Sequence, residues 1–224
     1  MSIKINYLNK SNSKSSANLV LFTNEKFDIN GLKKYLTNSE FSYINDLLKT
    51  NDLKKNLFVF ELTSKKKVVL ISIKKDLKNF DIENLGAELF GRINYGKNSD
   101  YFINSDSITS KHENLIGHFL HGLKLKSYEF NKYKTKKETR LISINILGNK
   151  NKPSAQNQLK FKALEEGTFY ARDLVSEPGN ILHPDEYAKR LNSLRKDGLK
   201  VNIYDEKKLK KLGMNALLGV GMGS

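Results

Sequence analysis

The chain has 224 residues, and its 39 lysines and arginines against 24 acidic residues give a formal net charge of +15. It contains no cysteine, which excludes disulfide scaffolds and thiolate metal sites and fits a reducing compartment. No run of about 18 apolar residues occurs, and residues 1–7 alternate like a strand and lack the apolar stretch of a signal peptide. We therefore expect a cytoplasmic protein with no membrane partner.

Strands are predicted where apolar residues alternate or run together, at residues 3–7, 19–22, 57–62, 68–73 and 141–146. Helices are predicted between them, where apolar residues recur three or four apart, at 41–48, 82–93 and 112–123. The polar turn at 64–67 joins two of the strands as a hairpin, and Ser39 can cap the first helix. Gly86 and Gly91 would permit close packing of the second helix. Interleaved strands and helices predict an α/β fold with a mixed sheet flanked by helices.

A polar break at 148–153 ends this pattern, and one long helix is predicted at 154–175. Its apolar stripe consists of Leu159, Ala163, Gly167, Tyr170 and Leu174. Pro178 ends that helix near Glu177, and Pro184 begins another helix that Gly198 ends.

The last part of the chain is predicted to open a βαβ unit. Leu199, Val201 and Ile203 alternate as a strand, residues 206–212 form a short helix ended by Gly213, and residues 216–220 form a buried strand.

The positive charge makes non-specific nucleic acid a candidate partner, because lysine and arginine neutralise phosphates and release counterions. Of the basic residues, however, five are arginine and 34 are lysine, and sequence-specific readers rely on the planar guanidinium. Lysine and asparagine are both favoured by AT-rich codons, so a solvated basic surface explains the excess without a ligand. A basic nucleic-acid-binding module is the alternative function.

His118 and His121 lie three residues apart on a predicted helix, where two imidazoles can share a face and hold a metal. Such sites usually need three or four ligands, and Glu113 is the only obvious further donor nearby in the sequence. We therefore interpret both as packing or surface histidines. His112 and His183 are interpreted as local caps or surface groups.

Two further segments could bind a polyanion. The glycine run at 219–224 could cradle a phosphate, but no Lys-Ser or Lys-Thr follows, so a structural turn is the preferred interpretation. The lysine-rich segment at 132–137 alternates with Tyr133 and Thr135 and could stack on a nucleic-acid strand. As a solvated strand edge, where lysine discourages aggregation, the segment needs no ligand.

The carboxylates of Asp173, Glu177 and Asp185 are spaced too irregularly to predict an acid–base pair. No catalytic or metal-binding residue is predicted in this chain, and its substrate-binding residues are unknown.

Three segments, in this order and spacing, resemble the leucyl aminopeptidase family, also called cytosol aminopeptidases. They are GLKLKSYEFNKYKTKK at 122–137, ARDLVSEPGNILHP at 171–184 and GMNALLGVGMGS at 213–224. Before about Asn79 the chain shows only a compatible pattern of strands. His183 stands where the family often has threonine or serine as a helix cap, and Met222 replaces a common glutamine.

The resemblance implies a macro-like N-terminal domain at 1–152, a linking helix at 153–176 and the incomplete beginning of the catalytic domain at 177–224. It also implies a homo-hexamer that removes N-terminal amino acids from peptides, with two divalent metals (Zn, Mn or Mg) that activate a water.

Two metal-binding runs of the family, Lys-Gly-x-x-x-Asp-Thr-Gly-Gly and Asn-Thr-Asp-Ala-Glu-Gly-Arg, have no counterpart in this sequence. We therefore expect no metal cofactor in this chain and no activity from it alone.

Overall fold

The computed structural model describes residues 2–8, 18–94, 99–136 and 141–222. The chain forms two compact units, Met1–Phe169 and Tyr170–Ser224. The first contains the sheet and its packed helices, and the second consists of short helices and connecting segments.

A six-stranded mixed sheet organises the first unit, with strand order β1-β6-β5-β2-β4-β3. Its strands are β1 (Ser2–Tyr7), β2 (Asn18–Asn24), β3 (Leu57–Thr63), β4 (Lys66–Ile73), β5 (Ser99–Asn104) and β6 (Leu141–Leu147). All neighbouring pairs are parallel except β3 and β4, which form the predicted antiparallel hairpin. The predicted mixed α/β sheet is confirmed, although the sequence interpretation missed β5.

Helices cover both faces of the sheet. They are α1 (Asn38–Thr50), α2 (Asn79–Ile93) and α3 (Leu115–Lys126), with a short 3-10 helix at Asn30–Tyr35. In β2, Val20 and Phe22 join the core under α2 and α3, whereas Leu19 and Leu21 join the core under α1 and the 3-10 helix. Burial on both faces explains why the central parallel strands read as continuous apolar runs.

The start of α1 differs from its prediction. Thr37, not Ser39, is the N-cap: its hydroxyl accepts a hydrogen bond from the Glu40 amide, and the Glu40 carboxylate accepts one from the Thr37 amide. Thr37 and Glu40 have the three-residue spacing of a capping box, whereas Ser39 already lies inside the helix.

Helix α3 also begins later than predicted. Asn114 adopts a left-handed conformation with φ of 55°, so the helix starts at Leu115 and His112 lies before it. Left-handed backbone cannot continue a right-handed helix, and asparagine tolerates it better than most residues.

Helix α4 (Ala155–Ser176) matches the predicted long helix, but its predicted stripe is wrong in the first half. Leu159 is 67 % exposed, and Ala163 and Gly167 are also exposed. The packed side carries Phe161 instead. Its ring lies against Gly117 of α3, so that a Cβ added at Gly117 would be only 2.4 Å from Cε2 of Phe161. A helix whose apolar residues are scattered around its axis can pack with either side against its neighbours, and in α4 the large ring of Phe161 determines the packed side.

The lysine-rich segment forms turns over 132–136 and not a strand edge, so that interpretation is wrong; Lys137 lies outside the described residues. The ammonium group of Lys132 stands 5.6 Å from the centre of the Tyr133 ring. Tyr133 also packs edge-on against Phe130, at 5.8 Å between ring centres. These local contacts favour a folded turn over an extended strand.

The second unit contains α5 (Pro184–Ser193), α6 (Glu206–Lys211) and α7 (Asn215–Met222). Its predicted βαβ opening is wrong: residues 199–205 form neither helix nor strand, and 216–220 lie within α7. A strand needs a neighbour for its backbone groups, and no strand pairing is found in the described part of this unit. Without one, Ala216 and its two following leucines follow their helix propensity.

The predicted glycine turn is also wrong in its described part, because Gly219 and Gly221 lie inside α7. Gly223 and Ser224 lie outside the described residues. Gly198 and Gly213 do end helical segments as predicted, at φ of 88° and 73°. Among the helices that the structure describes, none is both long enough and apolar enough to cross a bilayer.

Candidate functional site

The segment at 171–184, which carries the strongest sequence signal, spans the last residues of α4, the turn after it and the first residue of α5. Its turn is closed by the carbonyl of Pro178, which accepts hydrogen bonds from the amides of Ile181 and Leu182, each at 2.9 Å. Pro184 occupies the first turn of α5, and Asp185 lies beside it at the positive end of the helix dipole. His183 is an exposed residue at the start of α5, and its side chain makes no capping hydrogen bond.

A buried carboxylate fixes this turn to α5. The Glu177 side chain is 1 % exposed, and its Oε1 accepts a hydrogen bond from Nη1 of Arg190 at 2.9 Å. Nε of the same guanidinium donates to Oε1 of Glu186, also at 2.9 Å. The hydrogen bond from Arg190 lowers the pKa of Glu186, and the two carboxylates raise the pKa of Arg190.

The arginine fork therefore holds both ends of the turn, and its role is structural. Sequence reasoning missed the pair because 13 residues separate Arg190 from Glu177. The one sequence signal for this ion pair is the position of Arg190, nearly two helical turns after the proline that begins α5.

The two histidines of α3 bind different carboxylates. Nδ1 of His118 lies 2.8 Å from Oε1 of Glu83 on α2, and Nδ1 of His121 lies 3.3 Å from Oε1 of Glu165 on α4. The Phe161 ring packs against both imidazoles, with centres 5.0 Å and 5.3 Å away. This arrangement ties α2, α3 and α4 together, and neither acidic partner could be identified from sequence spacing.

Tyr7, at the end of β1, adds a phenol to this cluster. Burial and then the negative charge of Glu165 raise its pKa to about 12. At neutral pH the hydroxyl is therefore protonated and can serve as a hydrogen-bond donor but not as a base.

The metal pair implied by the family resemblance does not fit the residues present. Within residues 2–8, 18–94, 99–136 and 141–222, no three histidine, aspartate or glutamate side chains are grouped to hold an ion. A two-metal centre needs several converging carboxylates or imidazoles. The described residues supply no such set.

The carboxyl edge of the sheet is the usual ligand crevice of open α/β folds. Here the turn Ser105–Ser107 closes it above β2, β5 and β6. Oγ of Ser107 accepts a hydrogen bond from the Phe22 amide at 2.9 Å, and Oγ of Ser105 donates to the Leu147 carbonyl at 2.9 Å. Asp106 accepts two backbone amides of the loop after β6, at 3.0 Å and 2.8 Å. The middle of this edge is therefore filled by the chain itself.

Comparison with known proteins supplies the identification. The family model described as "Cytosol aminopeptidase family, catalytic domain" matches residues 169–224. A probable cytosol aminopeptidase of Bradyrhizobium sp. is 35 % identical over 153 residues, which is 66 % of this chain and 31 % of the relative. One from Agrobacterium fabrum is 43 % identical over 112 residues, 47 % of this chain and 22 % of the relative. The chain belongs to the cytosol aminopeptidase family.

Two solved structures share its fold. A tomato leucine aminopeptidase mutant superposes with a TM-score of 0.69 at 17 % identity, covering 95 % of this chain and 46 % of the tomato chain. The bottromycin maturation enzyme BotP, in complex with Mn, gives 0.61 at 13 % identity, covering 89 % of this chain and 40 % of BotP. The chain spans 31 % and 22 % of the length of the two curated relatives.

Proposed function

We propose that this chain is the N-terminal portion of a metal-dependent leucyl aminopeptidase, which removes N-terminal amino acids from peptides. The observation that carries the proposal is the match of 169–224 to the model of the family's catalytic domain, which follows the sheet unit in the chain. For the whole protein we propose peptide substrates, a cytoplasmic location and a homo-hexameric assembly, as the resemblance implies. Non-specific nucleic-acid binding stays a prediction from the net charge of +15.

We further propose the domain division 1–152, 153–176 and 177–224. It is supported by the bounds of α4, Ala155–Ser176, between the last strand of the sheet and the family motif. In this division α4 links the sheet unit to the catalytic domain.

We also propose that residues 1–224 alone have no aminopeptidase activity. Both metal-binding runs of the family are missing from this sequence, and the side chains that are present do not form a metal-holding group in the described residues. A metal-activated water requires ligands that fix and polarise the ion. The geometry described above, with carboxylates paired to arginine and histidine, serves to hold helices together.

Two assays test the proposal. The purified chain, incubated with Zn²⁺, Mn²⁺ or Mg²⁺, should not cleave leucine p-nitroanilide, whereas a full-length relative in the same buffer should. A chimera that joins this chain to the part of the Bradyrhizobium relative following its match should regain metal-dependent cleavage. Metal-dependent activity of the chain alone would refute the inactivity, and a chimera that folds, by circular dichroism, but stays inactive would refute the parent function.

A further inference from the structure

A small cavity lies away from the segments discussed above, at the carboxyl end of β4 and beside the first half of α2. Its volume is about 200 Å³. The residues that line it include polar ones, Asn56, Lys74, Asn84 and Glu88, and the apolar Leu77 and Leu85. Since a water molecule occupies roughly 30 Å³ of liquid, this space corresponds to about seven waters, which is comparable to one free amino acid.

Two oppositely charged residues line this cavity and do not form an ion pair with each other. Lys74 follows β4, and Glu88 is a half-buried residue in the middle of α2. Neither side chain has a hydrogen-bond or ion-pair partner in the part of the chain that the structure describes. A half-buried carboxylate normally gains a partner when it leaves water, so Glu88 is available to a ligand cation.

Some of the neighbouring polar groups form hydrogen bonds within the fold, and others are available to bind a ligand. Asp81 already forms one hydrogen bond at the start of α2, because its Oδ2 accepts a hydrogen bond from the Lys78 amide at 2.9 Å. Asn84 lies one turn before Glu88 on the same helix and also lines the cavity. Asn56 uses its backbone carbonyl to accept the Ser72 amide at 2.8 Å, which leaves its side-chain amide for a ligand.

We propose that this cavity binds a free α-amino acid as a zwitterion. The Lys74 ammonium binds the ligand carboxylate, and the Glu88 carboxylate binds the ligand ammonium group. Leu77 and Leu85 contact its apolar side chain. The inference concerns this chain alone and does not depend on the proposed peptidase function.

The charge pattern favours a zwitterion over simpler ions. Glu88 and Asp81 repel a free anion, and Lys74 repels a metal cation that would have only these two carboxylates as charged ligands. A molecule that carries both charges on one carbon, as an α-amino acid does, matches both charged residues of the cavity. Because the site is small and open to solvent, we expect a dissociation constant on the order of 1 mM.

Titration of the full chain by isothermal calorimetry or NMR chemical shifts tests the proposal with three matched probes. L-leucine carries both charges, leucinamide lacks the carboxylate, and 4-methylpentanoate lacks the ammonium group. We expect L-leucine to bind and each analogue to bind about tenfold more weakly or not at all. Equal binding of all three, or no L-leucine binding up to roughly 20 mM, overturns the proposal.

Variants locate the site. Glu88→Gln and Lys74→Gln should each weaken L-leucine binding about tenfold, since each removes one charge partner. Glu25→Gln and Lys75→Gln are matched controls on exposed residues that do not line the cavity, and they should bind as the unmodified chain does. Circular dichroism confirms that all four fold. If folded Glu88→Gln and Lys74→Gln bind L-leucine with unchanged affinity, the cavity is not the site and the proposal fails.

Discussion

Glu40 connects two elements through its single carboxylate. At the start of α1, Oε2 accepts a hydrogen bond from the Thr37 amide at 3.0 Å. Oε1 accepts one at 2.5 Å from the ammonium group of Lys66, which lies on β4. The side chains of Lys66 and Glu40 are only 15 % and 16 % exposed. Burial opposes ionisation of Glu40, but the hydrogen bonds from Lys66 and Thr37 outweigh it and hold the pKa of Glu40 below its usual value.

Glu40→Gln should therefore lower the free energy of unfolding at pH 7 by about 1 to 2 kcal/mol, because Lys66 loses its partner in a partly buried place. A depressed folded-state pKa gives stability that is present above the unfolded pKa of about 4.3 and is lost as pH falls through the folded value. The difference between the two proteins should shrink in acid. Urea unfolding at several pH values measures it.

Asp46→Asn is the control for this prediction. Its partner Lys49 stands 3.1 Å away, and both side chains are more than two-thirds exposed, at 68 % for Lys49 and 73 % for Asp46. Exposed pairs contribute roughly 0 to 1 kcal/mol, so its effect should be small. A loss in Glu40→Gln that stayed constant down to the lowest pH would show that the carboxylate charge is not the cause.

At the scale of elements, two glycines set the distance between α2 and α3. A Cβ at Gly86 would lie 1.9 Å from the Phe119 carbonyl oxygen, and one at Gly122 would lie 1.9 Å from the Glu83 carbonyl oxygen. Each helix thus has a glycine in close contact with the backbone of the other helix. A Cβ at Gly91, on the same helix as Gly86, would have no neighbouring atom within 4 Å.

Gly122→Ala should destabilise the protein by about 3 kcal/mol or more, because a backbone carbonyl cannot move aside as a flexible side chain can. Gly91→Ala should instead stabilise it by about 0.5 to 1 kcal/mol through helix propensity. Thermal and urea unfolding of both variants measure the two signs. If both substitutions shifted stability in the same direction, the close crossing would be wrong.

The glycines also show what the sequence could predict. The apolar period of α2 and the apolar runs of β2 and β4 are local, so their elements could be predicted from the chain alone. The prediction that Gly86 and Gly91 both serve close packing is confirmed for Gly86 and wrong for Gly91. Which glycine faces a neighbouring helix depends on the crossing of α2 and α3, and no local pattern contains that information.

At the scale of the whole molecule, the same limit explains the candidate site. The family motif at 171–184 could be identified from its residues, but the Glu177–Arg190 bond and the His121–Glu165 contact join residues 13 and 44 positions apart. The βαβ prediction failed for a related reason. Alternating apolar residues such as Leu199 and Val201 have strand character, but a strand forms only where another strand is available to pair.

The two units should differ in resistance to proteolysis. The first contains two buried apolar clusters, whereas α5, α6 and α7 contain no fully buried residue. Leu199, Ile203 and Leu212 are 55 %, 45 % and 50 % exposed, and residues 199–205 have no regular structure. Regions with few buried contacts open at low free energy cost and are cut first.

Thermolysin, which cleaves before large apolar residues, should therefore cut first between residues 199 and 213. A fragment that contains the sheet unit should persist while the shorter peptides disappear. A digestion time course followed by intact-mass spectrometry identifies the first cut. The hairpin between β3 and β4 is the internal control, because Phe60 and Val68, which pair with each other, offer the same kind of bond inside a paired sheet. Cleavage there at the same rate as at 199–213 would show that the helices of the second unit are as well protected as the sheet.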